Sequence, residues 1–190
     1  MFLPVDFYVR DTAVVARDLL GRVLVRRLQG RITRSRIVET EAYFEHGDPA
    51  SHAARGRTRR NQVMFGAAGR AYVYFNYGIH YLLNFVTEAE GTAGAVLIRA
   101  LEPLAGVDLL MKNRPVDKVV NLTNGPAKLT QALGIDVTHN GRSLDSTELG
   151  VEESDDNGFN VISATRIGIS AGQSLEYRYY IAGNRFVSRK

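Results

Sequence analysis

The chain has 190 residues, 45% apolar and 23% charged, with a formal net charge of +4 and a sequence pI near 9.5. Its length suits a single domain, 1–190, with a sizeable core, and the composition is ordinary for a soluble globular protein. There is no cysteine, which excludes disulfides, thiolate nucleophiles and Cys-ligated zinc or iron–sulfur sites.

Only four of the 24 basic residues are lysines, Lys112, Lys118, Lys128 and Lys190. The rest are arginines, which suit bidentate phosphate contacts and stacking. Residues 1–11 lack the charged start and long apolar run of a signal peptide, and no apolar run approaches transmembrane length. Use in the cytosol, or in a compartment continuous with it, is expected.

Thr12 to Leu20 reads as a short helix, capped by Asp11 or Thr12 and stopped at Gly21. Arg22 to Leu28 and Arg31 to Tyr43 read as two strands joined by a turn at Gln29-Gly30. The second strand ends in Ile37-Val38-Glu39-Thr40-Glu41-Ala42-Tyr43. Alternation puts Glu39, Glu41 and Tyr43 on one face and Val38, Thr40 and Ala42 on the other. Two carboxylates on one strand face mark either a site or a wet surface, and an exposed face is the plainer reading.

Residues 44–62 form a loop containing His46 and His52, with four arginines between positions 55 and 60: Arg55, Arg57, Arg59 and Arg60. Such a run is either a solvated basic loop or a phosphate-contacting one. Tyr72 to Phe75 and Ile79 to Val86 then read as a hairpin turning at Asn76-Tyr77-Gly78. An aromatic at the tip, Tyr77, buries little of itself. It suits either a protein contact or a wedge driven between DNA bases. Tyr72 and Tyr74 share a strand face, and an aromatic strand face is usually half core.

Ala95 to Leu101 is an apolar strand interrupted by Arg99, which needs an acidic partner, either Glu41 or the local Glu102. Val107–Asn113 and Pro126–Leu133 read as helices, the second with Asn124 as a candidate cap. Lys128, in its first turn, is either a phosphate contact or a plain surface lysine. Residues 145–156 hold six acids and no base, and read as a surface excursion. Asn160–Ser170 and Leu175–Ala182 close the chain as strands. There is no nucleotide-binding glycine loop, no zinc-protease motif and no Gly-x-Ser-x-Gly turn, and the four histidines do not form a metal set.

The blocks Ile37–Tyr43, His52, Arg60-Asn61, Met64-Phe65, Tyr72-Val73-Tyr74, Tyr77-Gly78, Asn84, Leu97–Pro103, Gly125–Leu129 and Arg166-Ile167-Gly168 together resemble the alkyladenine (3-methyladenine) DNA glycosylase family. The resemblance spans nearly the whole chain. It implies an α+β fold, one domain around a curved, mostly antiparallel sheet with flanking helices and a protruding hairpin. It also implies roles. Glu41 resembles the carboxylate that activates water, and Arg99 the arginine that holds that water or orients the carboxylate. Tyr43, His52 and Tyr74 resemble the walls of the slot for an extruded base, and Asn84 the residue that rejects normal purines. Tyr77 resembles the residue that fills the gap in the duplex.

The expected partner is double-stranded DNA with a damaged purine, bound by a monomer that needs no cofactor or metal. Its expected location is cytoplasmic and nucleoid-associated in a bacterium, or nuclear in a eukaryote. The short chain, without the N-terminal extension of larger relatives, favours the former. The chemistry agrees with the residues. A base inside a duplex must be flipped out to be reached, tyrosine faces attract a cationic alkylated purine, and a carboxylate can activate water as at glycosidase sites. With Lys128 the only lysine in these blocks, a Schiff base is not expected, and the product is an abasic site. Two other readings stand beside this one. They are a non-catalytic nucleic-acid binder using the same aromatic slot, and a nucleoside hydrolase with no use for a wedge.

Overall fold

The computed structural model describes residues 1–190 except Tyr77, Asp155, Asn157 and Lys190. Strands β1 (Val23–Leu28) and β2 (Arg31–Phe44) form the hairpin expected from the sequence, with Leu28 opposite Arg31. Gln29 and Gly30 have φ of 52° and 78°, a mirror-image turn whose twist matches that of the strands.

β2 is the axis of the fold. Its first half pairs with β1, and its Glu39–Glu41 stretch pairs with β8 (Arg178–Ile181). Its other edge pairs with β5 (Gly94–Ala105). Outside β5 lie β4 (His80–Thr87) and β3 (Ala71–Asn76), and outside β1 lies β6 (Leu149–Glu152). β7 (Val161–Ala164) pairs with β8. Every pairing is antiparallel. The result is an α+β fold on a curled half-barrel sheet.

The β2–β5 ladder is broken twice where it matters. Ile37 faces Leu101 and Glu39 faces Ala100, leaving Val38 as an extra residue on β2. Glu39 faces Ala100 and Thr40 faces Ile98, leaving Arg99 as an extra residue on β5. Bulges of this kind re-aim side chains and sharpen the local twist. The two cancel in register, so the ladder resumes with Glu41 opposite Leu97.

Short helices cover the sheet. α1 (Val5–Tyr8) was not foreseen. α2 (Thr12–Asp18) is capped by Asp11, whose carboxylate accepts from the Ala13 and Val14 amides at 2.9 and 3.0 Å. α2 is held to β2 by the Thr40 hydroxyl donating to the Ala16 carbonyl. α3 spans Val107–Asn113 and α4 spans Pro126–Ala132. Asn124 does not cap α4. Gly125 occupies that position, and the Asn124 side chain instead accepts from Lys128 Nζ at 2.8 Å.

The acidic stretch 145–156 is more than a surface excursion. Leu149 and Val151 are buried, and β6 completes the sheet beside β1. Its acids neutralise neighbouring arginines: Glu148 pairs with Arg26, Glu152 with Arg34 and Asp156 with Arg36. The closing strands are shorter than expected, because residues 165–177 leave the sheet. The main core, including Ile37, Val38, Phe85, Ile98 and Leu101, lies between sheet and helices. A smaller cluster of Ala53, Met64, Phe65, Tyr72, Val86 and Ala95 lies beneath the loop after β2. Among the described residues no helix is long and apolar enough to cross a membrane.

Candidate active site

Glu39 and Glu41 are both fully buried, so the plainer expectation of an exposed strand face is overturned. A carboxylate is kept charged in such a place only by partners, and Glu41 has three. Its Oε1 accepts from the Ile167 amide at 2.8 Å and lies 3.2 Å from Arg99 Nη1, while its Oε2 accepts from the Tyr43 hydroxyl at 2.8 Å. Burial raises its pKa above the ordinary carboxylate value, and the Glu39 charge adds to that. Arg99, the Ile167 amide and the Tyr43 hydroxyl pull the other way without cancelling it. Burial and the Glu41 charge in turn push the Tyr43 phenol strongly up, so it stays a donor. Of the two partners left open for Arg99, Glu41 is real. Glu102 instead takes Arg36 and Asn184.

A cavity of about 420 Å³ opens next to this carboxylate, within the usual range for small-molecule sites. Tyr43, Arg99 and Ile167 line it on the Glu41 side, and His52, Tyr74 and Asn84 line it elsewhere. The His52 and Tyr74 rings meet edge to face at 4.5 Å, and Tyr72 leans on Tyr74 at 5.3 Å. His52 Nδ1 and the Tyr72 hydroxyl share a 3.0 Å hydrogen bond. Partial burial, helped by the Arg60 charge, lowers the His52 pKa although part of the ring meets solvent, which favours the neutral form near pH 7. The Tyr72 phenol is pushed up to about 12 by burial, against the opposing effect of Arg60. Asn84 is buried, and its Nδ2 donates to the Tyr72 carbonyl at 3.1 Å, which fixes its amide against the cavity.

The basic loop divides. Arg55, Arg57 and Arg59 are exposed, and among the described residues no ion pair engages them. Arg60 turns to the aromatic wall, with its guanidinium 5.2 Å from the Tyr74 ring centre and a hydrogen bond to the Phe75 carbonyl. Lys128 is half-buried beside Arg114 and bonded to Asn124, and burial with the Arg114 charge lowers its pKa. Tyr77 lies outside the described residues. Its neighbours at the hairpin end, Phe75 and Ile79, are 48% and 68% exposed.

Three contributors escaped the sequence reading. Arg166 is sealed in, bound to both Asp48 oxygens at 2.6 Å and lying 4.6 Å from the Tyr43 ring centre. It anchors the segment that aims the Ile167 amide at Glu41. Asp48 also accepts from the Phe44 and Ala50 amides and so folds the loop that carries His52. Glu39 binds Arg99, Arg178 and the Ser188 amide. The signal for Arg166 was its place in a motif block, and for Glu39 its place on the Glu41 strand face.

Comparison with known proteins identifies the family. The family model described as methylpurine-DNA glycosylase (MPG) matches residues 6–185. Relatives include a protein of Prosthecochloris aestuarii, 53% identical over 97% of this chain and 89% of its own length. One from Carboxydothermus hydrogenoformans is 49% identical and one from Methanoculleus marisnigri 50% identical, each over the whole of both chains. All three bear the name "Putative 3-methyladenine DNA glycosylase". The sheet, the buried carboxylate and the aromatic cavity thus sit in a chain that belongs to the methylpurine-DNA glycosylase family, and it is a DNA glycosylase, a hydrolase of N-glycosyl bonds.

Proposed function

We propose that the protein flips alkylated or deaminated purines, of the 3-methyladenine, 7-methylguanine, hypoxanthine and ethenoadenine class, out of duplex DNA and hydrolyses their N-glycosidic bond. It uses a Glu41-activated water and leaves an abasic site. The observation that carries this reading is a buried carboxylate of raised pKa, one hydrogen bond from the wall of an aromatic cavity.

In this reading the extruded base lies between Tyr43 on one side and His52 with Tyr74 on the other. A cationic purine is attracted to the tyrosine faces by roughly 0.5–2 kcal/mol, and a neutral His52 adds no opposing charge. Glu41 takes a proton from water as the oxygen attacks the sugar C1′. The bond to the purine nitrogen breaks, and the departing base keeps the electron pair. Glu41 is enclosed behind Tyr43, Arg99 and Ile167, so the water must be held among these groups rather than drawn from bulk. Arg99 orients the carboxylate. Asn84, its amide fixed, rejects purines whose exocyclic groups do not fit. Tyr77 fills the gap in the duplex, and Arg55, Arg57, Arg59 and Lys128 are the candidate phosphate contacts, while Arg60, turned to Tyr74, braces the aromatic wall instead. The chain acts as one domain and as a monomer.

The test is base release from duplexes carrying one hypoxanthine or one ethenoadenine, and from methylated DNA. Glu41→Gln should lower the single-turnover rate by about 10²–10⁴-fold, the usual worth of a general base, while binding to an abasic-site duplex persists. Borohydride should trap no covalent enzyme–DNA species. Full turnover by a folded Glu41→Gln protein would sink the proposal.

A further inference from the structure

We propose that Glu39 is a positioning residue for the hydrolysis: it holds the Arg99 guanidinium by its Nε edge, leaving Nη1 to pair with Glu41. This rests on the reading of Glu41 as the base.

The contacts around Glu39 are specific. Its Oε1 lies 3.4 Å from Arg99 Nε and 3.0 Å from Arg178 Nη1, and its Oε2 accepts from the Ser188 amide at 2.7 Å. Arg99 is therefore divided three ways: Nε to Glu39, Nη1 to Glu41 at 3.2 Å and Nη2 to the Ser188 hydroxyl at 3.5 Å. A guanidinium left alone with one carboxylate prefers to grip both oxygens in a fork. A forked Arg99 would compete with the Tyr43 hydroxyl for Glu41 Oε2 and weaken Glu41 as a proton acceptor. Glu39 denies Arg99 that geometry, and the bulge that makes Arg99 the extra residue on β5 lets one side chain reach both carboxylates.

Charged and titratable groups face the pair from every packed element. β2 supplies Tyr43, β5 supplies Arg99, and β8 supplies Arg178, whose guanidinium lies over the Tyr180 ring. The 165–177 segment supplies Arg166 beside Tyr43, and the tail supplies Ser188. Among the described residues Glu39 is the other carboxylate acting on Glu41, and its charge raises the proton affinity of Glu41 directly. Removing Glu39 should therefore weaken the base twice, by losing that charge and by releasing Arg99.

The experiment is the pH dependence of single-turnover excision from an ethenoadenine duplex by the full-length protein. Glu39→Gln should lower the plateau rate by about tenfold or more, short of the 10²–10⁴-fold expected for loss of the general base itself. It should also move the acid limb to lower pH, with abasic-duplex affinity unchanged. Glu39→Asp should recover part of both. A merely structural loss would reduce the active fraction and leave the limb in place. Glu39→Gln leaves two arginines facing a neutral amide and can unfold the protein, so Glu39→Gln/Arg178→Met, which removes one charge of each sign, is tested beside it. A folded variant of either kind with the wild-type limb and plateau overturns the inference. Collapse of both also overturns it, by making Glu39 a fold anchor only. An active Glu41→Gln protein would instead remove the reading beneath it.

Discussion

The Tyr43 phenol serves two groups: its ring lines the cavity while its hydroxyl donates to Glu41 Oε2. That hydrogen bond favours the charged carboxylate, so it lowers a Glu41 pKa that burial holds up. The sign for Tyr43→Phe follows. Losing the hydroxyl raises the Glu41 pKa further, and with Glu41 as the proposed base the reaction needs it ionised. The acid limb of the pH–rate profile, expected above the ordinary glutamate value of about 4.3, should therefore move to higher pH in Tyr43→Phe. The rate well above the limb should stay close to that of the wild type, because the stacking face remains. A pH series of single-turnover rates checks this, and a limb that stays put or falls would separate Tyr43 from Glu41. The limb moves oppositely in the Glu39 variant, so the two substitutions together test the electrostatics by sign. Tyr43 and Glu41 could be paired from alternation along one strand. The Arg166 and Ile167 contacts could not, since they reach Asp48 and Glu41 across 118 and 126 positions of sequence, and no local pattern records such a meeting.

At the level of elements, the loop between β2 and β3 works like a rigid arm held at both ends. Asp48 folds its start against Arg166. Asn61, 1% exposed, folds its end: its Nδ2 donates to the His52 and Gly56 carbonyls at 2.7 and 2.9 Å, and its Oδ1 accepts from the Thr58 amide. Asn61→Ala orphans these groups, at about 1–3 kcal/mol, with about 2–4 °C of Tm for each kcal/mol in a chain of this size. The arginines of this loop are trypsin sites, so limited proteolysis should show faster cutting between residues 55 and 60. Unchanged cutting and Tm would mean that the loop does not depend on Asn61. The elements flanking this arm were legible because turn residues and alternation agree there: Gln29-Gly30 turns the first hairpin, and α3 occupies the span foreseen. The paired bulges at Val38 and Arg99 were hidden, because a strict period of two has no place for an extra residue. β6 was masked by the acids around it. Only the meeting of those acids with Arg26, Arg34 and Arg36 shows that they neutralise an edge of the sheet.

Across the whole molecule this pairing divides the charge. Arg26, Arg27, Arg34 and Arg36 of β1 and β2 are matched by acids of the 145–156 stretch and Arg31 by Asp108, whereas Arg55, Arg57 and Arg59 stand exposed on the loop that carries His52, with no ion pair among the described residues. The net charge of +4 thus understates the field that a DNA backbone would meet at this loop. If these three side chains sit on phosphates, each displaces condensed counterions, and log K should fall with log salt by about 0.9 per contact. Arg55→Gln/Arg57→Gln/Arg59→Gln should flatten that slope by about 2–3 and leave the single-turnover rate at saturating DNA unchanged. Arg60 belongs to the other class despite its place in the same run. It leans on Tyr74 and acts on His52 and Tyr72, so Arg60→Gln should leave the slope nearly as it was and lower the excision rate instead. Binding titrations across a salt series, with excision measured on the same duplex, separate the two. A flattened slope for Arg60→Gln, or none for the triple variant, would redraw the DNA-facing surface.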